Sequence, residues 1–221
     1  KKTNFKKNKK ITIYNDWKKM LANKRIKAVI IASPPETHLN IIKEALKRKI
    51  HIFCEKPVTK SYKQISEICD LVKKKNVMHF VNFEFPKIKA FQYLKRKIIN
   101  NLKINKVKVI WAIKISHNNR SSWKNTHTKG GGILYNYICH SLYYLEYLFG
   151  KMVLIESNYN LKKNSKRIKI KFYNNLKKIK ILIFFQILST KSKKKPIHSL
   201  KIFSNRGIIS LTSKTENLND R

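Results

Sequence analysis

The segment that most limits what this chain can fold into is Ala28–Ala32, AVIIA. Five consecutive apolar residues, β-branched at the centre, are too few for a membrane span. They suit a strand covered on both faces, as in parallel sheets. The residues after it agree. In Ser33-Pro34-Pro35-Glu36 a serine stands three residues before a glutamate with a proline directly after it, which marks a helix start with the serine as cap. Ile41, Ile42 and Ala45 give that helix an apolar face. Ile50–Cys54 reads as the next strand. Ser61-x-x-Gln64 opens a second helix with Ile65, Ile68 and Val72 at helical spacing, and Val77–Phe83 reads as a third strand. Strand, helix, strand, helix, strand with short connections specifies right-handed crossovers in a parallel sheet. Ahead of them, Ile11–Tyr14 is expected to form a short strand and Asp16–Asn23 a helix.

After Pro86 the texture changes. Residues 88–101 read as a helix and 107–116 (VKVIWAIKIS) as an alternating, half-exposed strand. A glycine-bearing loop and an aromatic-rich helix lead to Gly150. Strands are then expected at about 152–160, 167–173, 178–189, 197–204 and 207–213. Runs such as RIKIKFY put lysine on one face and apolar residues on the other, which predicts an antiparallel sheet with one wet face; KSKKK, 191–195, reads as a solvated hairpin loop. The expected organisation is therefore an α/β piece over 1–86 and an α+β domain over 87–221 with a mainly antiparallel open sheet.

The formal net charge of +40, from 51 Lys and Arg against 11 Asp and Glu, raises the question of a polyanionic partner. Only seven of these cations are arginine, the residue that bidentate and stacked contacts with nucleic acid favour; the lysines are spread over the whole chain. With abundant Ile and Asn, this is the composition an AT-rich coding sequence imposes. The expectation is weak, salt-sensitive adhesion to polyanions, with no specific nucleic-acid or membrane partner. A basic nucleic-acid-binding protein remains the rival from another class. Cys54, Cys69 and Cys139 show neither a CxxC pair nor metal spacing, so free, buried thiols, a cytoplasmic setting and no metal are expected. The longest apolar run, Ile181–Leu188, is far short of a span.

Ligands of open parallel sheets bind beyond the carboxyl ends of the strands. Three such ends are legible: Ser33-Pro34-Pro35, Cys54-Glu55-Lys56-Pro57 and Asn82-Phe83-Glu84-Phe85. The segment AVIIASPPETHLNIIKEALKRKIHIFCEKPVTKS carries a Ser-Pro pair, a histidine shortly after and a strand ending in Glu-Lys-Pro. Downstream, GGGILYNYICHSLYYLEYLFG carries three glycines, Leu134, His140 and a terminal Leu148-Phe149-Gly150. Together, in this order, they resemble the Gfo/Idh/MocA oxidoreductases over essentially the whole chain.

That resemblance implies a partial Rossmann-like dinucleotide-binding domain followed by a substrate and oligomerisation domain. It also implies hydride transfer between NAD or NADP and a hydroxyl or carbonyl carbon of a sugar, cyclitol or nucleotide sugar. By the family pattern, Ser33, Pro34, Pro35, His38, Glu55 and Lys56 line the cofactor, with Glu84 and Phe85 on its nicotinamide side. Lys56 also hydrogen-bonds the reacting oxygen, and His140 is the general acid/base. Arg120, Trp123, Asn136 and His140 fall where the family holds substrate, and the second sheet is where it self-associates. Asn136 stands in place of the family's aspartate; it can orient a hydroxyl or Lys56 but cannot accept a proton. The family's glycine-rich turn, which grips the pyrophosphate, has no counterpart: the five glycines are 130, 131, 132, 150 and 207. The resemblance thus implies a chain cut at both ends. The alternative is a non-catalytic relative that binds a sugar or dinucleotide as a sensor or scaffold. His79 and His127 carry no pattern.

Overall fold

The computed structural model describes residues 11–99, 102–114, 131–162, 165–189 and 191–213, which form two compact units dividing between Asn82 and Phe83. Arg120 and Trp123 lie outside the described residues.

In the first unit, α1 (Trp17–Ala22) is followed by β1 (Ala28–Ile31), α2 (Pro35–Lys47), β2 (His51–Cys54), α3 (Tyr62–Lys73) and β3 (His79–Val81). The strands pair in chain order, all parallel, with Ile31 opposite Cys54 and Cys54 opposite Val81. Val29, Ile31, Ile52 and Cys54 bury into one core with Leu21 of α1, Ile41, Ile42, Ala45 and Leu46 of α2, and Ile68 and Val72 of α3.

Among the described residues all three helices pack on that one face, so the cover expected on the second face of β1 is not found among them. The register row Ile30, Phe53, Phe80 on the other face is 74%, 39% and 58% exposed. Ile11–Tyr14 forms no strand: Ile11 and Ile13 are exposed, and among the described residues nothing pairs with them. The caps divide. Ser61 accepts from Gln64 N, as its spacing predicts. Ser33 does not cap α2, whose N-cap is Pro34, because its hydroxyl is bonded to Thr37 instead. Cys54 is buried as expected, whereas Cys69 is exposed.

The second unit opens with a 3-10 turn at Phe85–Lys87, so Phe85 and Pro86 pack with it, four residues short of the expected boundary. There follow α4 (Lys89–Ile99), β4 (Ile104–Lys114), a π-helical turn (Leu134–Ile138) running into α5 (Cys139–Phe149), and strands β5 (Val153–Lys162), β6 (Ser165–Asn174), β7 (Ile179–Leu188), β8 (Ile197–Ser204) and β9 (Gly207–Ser213). The sheet order is β5-β6-β7-β4-β8-β9. All pairings are antiparallel except β4 with β7. Because β4 lies between β7 and β8, residues 191–195 are not a hairpin loop. They cross over the end of β4, where Lys114 Nζ donates to Ser192 O at 2.8 Å.

Alternation sorts this sheet into two faces. Val107, Val109, Trp111, Ile113, Ile181, Ile183, Phe185, Leu200 and Ile202 bury against Phe91 and Leu94 of α4 and Tyr144, Leu145 and Leu148 of α5. The opposite face carries Lys106, Lys108, Lys169, Lys171, Lys180 and Lys201; Lys108 lies over the Phe184 ring at 5.1 Å and Lys106 over Phe203 at 5.6 Å.

The carboxyl end of α5 is tied down carbonyl by carbonyl, which is what a buried helix end requires. Lys95 Nζ donates to Tyr147 O and Leu148 O; burial and then Lys177 hold its ammonium below the usual lysine range. Asn174 Nδ2 donates to Phe149 O at 2.9 Å and Lys151 O at 2.8 Å. Gly150 closes the helix at φ +87°, a region open to glycine at little cost.

Candidate active site

The residues singled out in the first unit form a polar shelf at the strand ends. Two backbone bonds extend the ladder beyond the strands, Glu55 N to Ile31 O and Asn82 N to Cys54 O, both 2.8 Å. Glu55 is therefore held between its neighbours. Its Oε1 accepts from Asn82 Nδ2 at 2.7 Å and its Oε2 from Lys56 N at 3.3 Å. The acid beside the lysine thus braces the turn that presents Lys56, and the Lys56–Pro57 peptide is cis. Glu55 and Lys56 are both half-buried.

His38 is wholly buried, so it serves the shelf from inside. Nε2 lies 2.7 Å from Ser33 O and Nδ1 3.1 Å from Pro57 O, tying the loop after β1 to the loop after β2. A neutral ring has one N–H to donate, and the shorter contact gives it to Nε2, which donates to Ser33 O; Nδ1 lies against Pro57 O and the Cys54 thiol. Thr37 Oγ1 donates to Pro34 O at 2.8 Å, so the Ser33 hydroxyl, 2.5 Å away, donates to Thr37. Pro35 is buried at the first turn of α2. The Cys54 thiol, 3.5 Å from His38 Nδ1, is pushed up to about 12 by burial and then by Glu55, and is no nucleophile at neutral pH.

In the second unit the π-helical turn carries Asn136, and His140 stands one residue into α5. Turns of this kind interrupt the regular ladder and recur at functional sites. His140 is 8% exposed in a box of rings. Phe85 lies edge-on at 5.3 Å, Phe83 at 5.8 Å and Trp111 at 6.4 Å. Phe83 in turn stacks on Tyr143 at 4.1 Å, so the residue three after the histidine, an aspartate in the family pattern, is here an aromatic prop.

Behind this box lies a group that sequence reasoning missed. His198 of β8 is fully buried, stacked flat on Trp111 at 3.8 Å, with Nε2 at 3.1 Å from the Tyr144 hydroxyl. Burial, and then the neighbouring His140, push it down to about 3; burial likewise pushes the Tyr144 phenol up. A usable signal existed. In IHSLKIF the inward positions of the alternation are His198, Leu200 and Ile202, a histidine on an apolar strand face. Among the described residues no cluster of three or more His, Cys, Asp or Glu could hold a metal, and no helix is long and apolar enough to cross a membrane.

Residues 1–83 match the profile of the oxidoreductase family's NAD-binding Rossmann fold, and residues 95–213 match that family's C-terminal alpha/beta domain. The chain belongs to the Gfo/Idh/MocA oxidoreductase family. Among relatives of this family, the uncharacterized oxidoreductase sll0816 of Synechocystis sp. is 33% identical over 149 residues, covering 66% of this chain and 40% of that protein. The 2,7-anhydro-N-acetylneuraminate hydratase of Escherichia coli is 30% identical over 140 residues, covering 60% of this chain and 36% of that protein. The WlbA dehydrogenase of Chromobacterium violaceum, solved with NADH and UDP-GlcNAcA, superposes with a TM-score of 0.80 at 17% identity, covering 92% of this chain and 60% of that one. The myo-inositol 2-dehydrogenase of Lactobacillus plantarum gives 0.72 at 17% identity, with 90% and 61% covered. At these identities the superpositions show a shared fold. This Gfo/Idh/MocA chain spans about 40% of the length of the first curated relatives it matches.

Proposed function

We propose that the whole protein is an NAD- or NADP-dependent oxidoreductase acting on a hydroxyl or carbonyl carbon of a sugar-like substrate: a sugar, cyclitol or nucleotide sugar. The observation that carries this reading is His140. It is a nearly buried imidazole, one residue into α5 and walled by aromatic rings, in a family that transfers hydride. A histidine can take a proton from a hydroxyl and return it at neutral pH, and dry walls strengthen its interactions with a bound substrate. Lys56 is read as the donor to the reacting oxygen, aimed by a turn that Glu55 and Asn82 brace. Asn136 is read as a neutral group that orients substrate.

The first unit's shelf fits the nicotinamide-ribose end of a dinucleotide. Ser33 and Glu55 offer acceptors and Lys56 a donor, with Pro34, Pro35 and His38 shaping the loops. Residues 1–83 contain no glycine, so a pyrophosphate-gripping glycine turn is not among them. A bound nicotinamide supplies the hydride acceptor or donor. Relatives named for carbohydrates, the anhydro-sialate hydratases and a levoglucosan dehydrogenase, support a sugar-like substrate.

The test is NAD(P) reduction by the full-length protein over a panel of sugars, cyclitols and nucleotide sugars, compared with Lys56→Ala and His140→Ala. Loss of turnover by roughly 10²-fold or more in both variants is expected. Full activity in both would overturn the assignment. Binding of substrate and dinucleotide with no turnover over the whole panel would favour the non-catalytic reading.

A further inference from the structure

The second sheet has a face that the proposed hydride transfer does not use, the one opposite α4 and α5. Across β6, β7, β4 and β8 it carries Arg167, Lys169, Lys171, Lys180, Lys106, Lys108 and Lys201. Lys106 stands directly opposite Lys180, and Lys108 directly opposite Lys201. Like charges so placed repel across a ladder. Among the described strands the one acid on this face is Glu156 of β5, and it is taken up by Lys171. Exposed cations of the first unit are treated differently: Lys43 pairs with Glu67, and Lys47 and Arg48 pair with Glu44. An AT-rich composition explains how many lysines there are, and alternation puts them on a wet face. Neither sets lysine opposite lysine.

Rings lie among these cations. Lys108 Nζ is 5.1 Å and Lys169 Nζ 6.0 Å from the centre of the Phe184 ring, and Lys106 Nζ is 5.6 Å from that of Phe203. Both rings are half-buried, level with the sheet. Cations interleaved with rings on a sheet suit single-stranded nucleic acid: charge follows the phosphates, and rings take the faces of bases whatever their sequence. Lysine meets a phosphate as a point charge, without the fork by which arginine reads a base edge. A second copy of this chain would set the same cations against each other. A lipid surface would call for apolar side chains that project beyond the charges, whereas these rings lie beneath the ammonium groups. We propose that this face binds single-stranded nucleic acid without regard to sequence, its lysines on the phosphates and Phe184 and Phe203 under the bases.

The test is fluorescence anisotropy of labelled oligo(dT), about 20 nucleotides long, with the full-length protein over about 0.05 to 0.5 M NaCl. One variant carries Lys106→Gln, Lys108→Gln, Lys180→Gln and Lys201→Gln. A control loses the same charge from exposed lysines of the first unit, through Lys18→Gln, Lys19→Gln, Lys73→Gln and Lys74→Gln. In the wild type the slope of log K on log salt should be about −4. The face variant should flatten that slope to about −1 and lose roughly 10²-fold in affinity at about 0.1 M NaCl. The control should change by less than about threefold, its charges being screened from the site. Far-UV circular dichroism checks that both variants fold. If the face variant does not, Lys108→Gln with Lys201→Gln alone should still lose about tenfold. Equal losses in the face and control variants would mean diffuse charge and overturn the proposal. Tighter binding of duplex than of single strand would overturn it too, as would phosphatidylserine vesicle binding that the face variant loses while its oligo(dT) binding is unchanged.

Discussion

Replacing Asn174 with alanine tests whether α5 is held from its far end. The side chain is 1% exposed and makes three hydrogen bonds: Nδ2 to Phe149 O and Lys151 O at 2.9 and 2.8 Å, and Oδ1 from Lys177 N at 2.8 Å. Each is worth about 0.5–1.5 kcal/mol net, and carbonyls left dry push toward the upper end, so Asn174→Ala should cost about 3 kcal/mol. For a unit of this size that is a fall in Tm of about 10 °C. Urea titration followed by circular dichroism should show a lower midpoint with an unchanged slope. Asn174→Asp sharpens the test. It keeps the acceptor for Lys177 N but sets a carboxylate against two carbonyls, and should be worse than alanine. A loss under about 0.5 kcal/mol in the alanine variant, or an aspartate variant as stable as asparagine, would refute the clamp.

Three further outcomes are expected. A histidine in the unfolded chain takes up its proton near 6.5, while burial and then His140 hold His198 down to about 3. The unfolded state therefore binds more protons as pH falls from 6.5 toward 3, and stability, intact above that window, should be lost through it. Urea midpoints against pH check this, and His198→Phe should flatten the dependence. Thiol labelling at pH 8 should modify exposed Cys69 first and Cys54 last, since Cys54 ionises only near 12 when folded; equal rates in the folded chain would contradict its burial. Self-association through the open face of the second sheet would bring Lys106, Lys108, Lys169, Lys171, Lys180 and Lys201 of two copies together. Dimerisation should therefore strengthen between about 0.05 and 0.5 M NaCl, as repulsion is screened. Sedimentation showing the reverse would exclude that face.

What was legible in the sequence was what is local. Ile50–Cys54 and Ser61-x-x-Gln64 announce a strand and a cap through neighbours within a few residues, and both form. The Glu-Lys-Pro and glycine–histidine segments were legible as signatures, although the work Glu55 does, through Asn82, depends on a strand 27 residues away. Alternation tells which face a side chain takes but not which strand lies beside it. The insertion of β4 between β7 and β8 was therefore invisible, and KSKKK looked like a hairpin. For His198 the alternation of IHSLKIF gives the inward direction but not the partners, Trp111 and Tyr144, which come from other elements. The apolar run at Ile30 implies cover on two faces, whereas among the described residues α1, α2 and α3 all pack on one.

The place of β4 has a consequence for how the chain is made. In the first unit each strand finds its partner in the order of synthesis. In the second, β4 emerges early but pairs through Lys106 with Lys180 and through Ile104 with Ser204. Until those distant strands leave the ribosome, Val107, Val109, Trp111 and Ile113 have no sheet to enter, and loop closure over such separations is slow. The nascent chain therefore passes through a stage in which an unpaired apolar strand is exposed to other chains. Lys106, Lys108 and Lys114, spaced along that same strand, are placed to keep it from pairing with the wrong one.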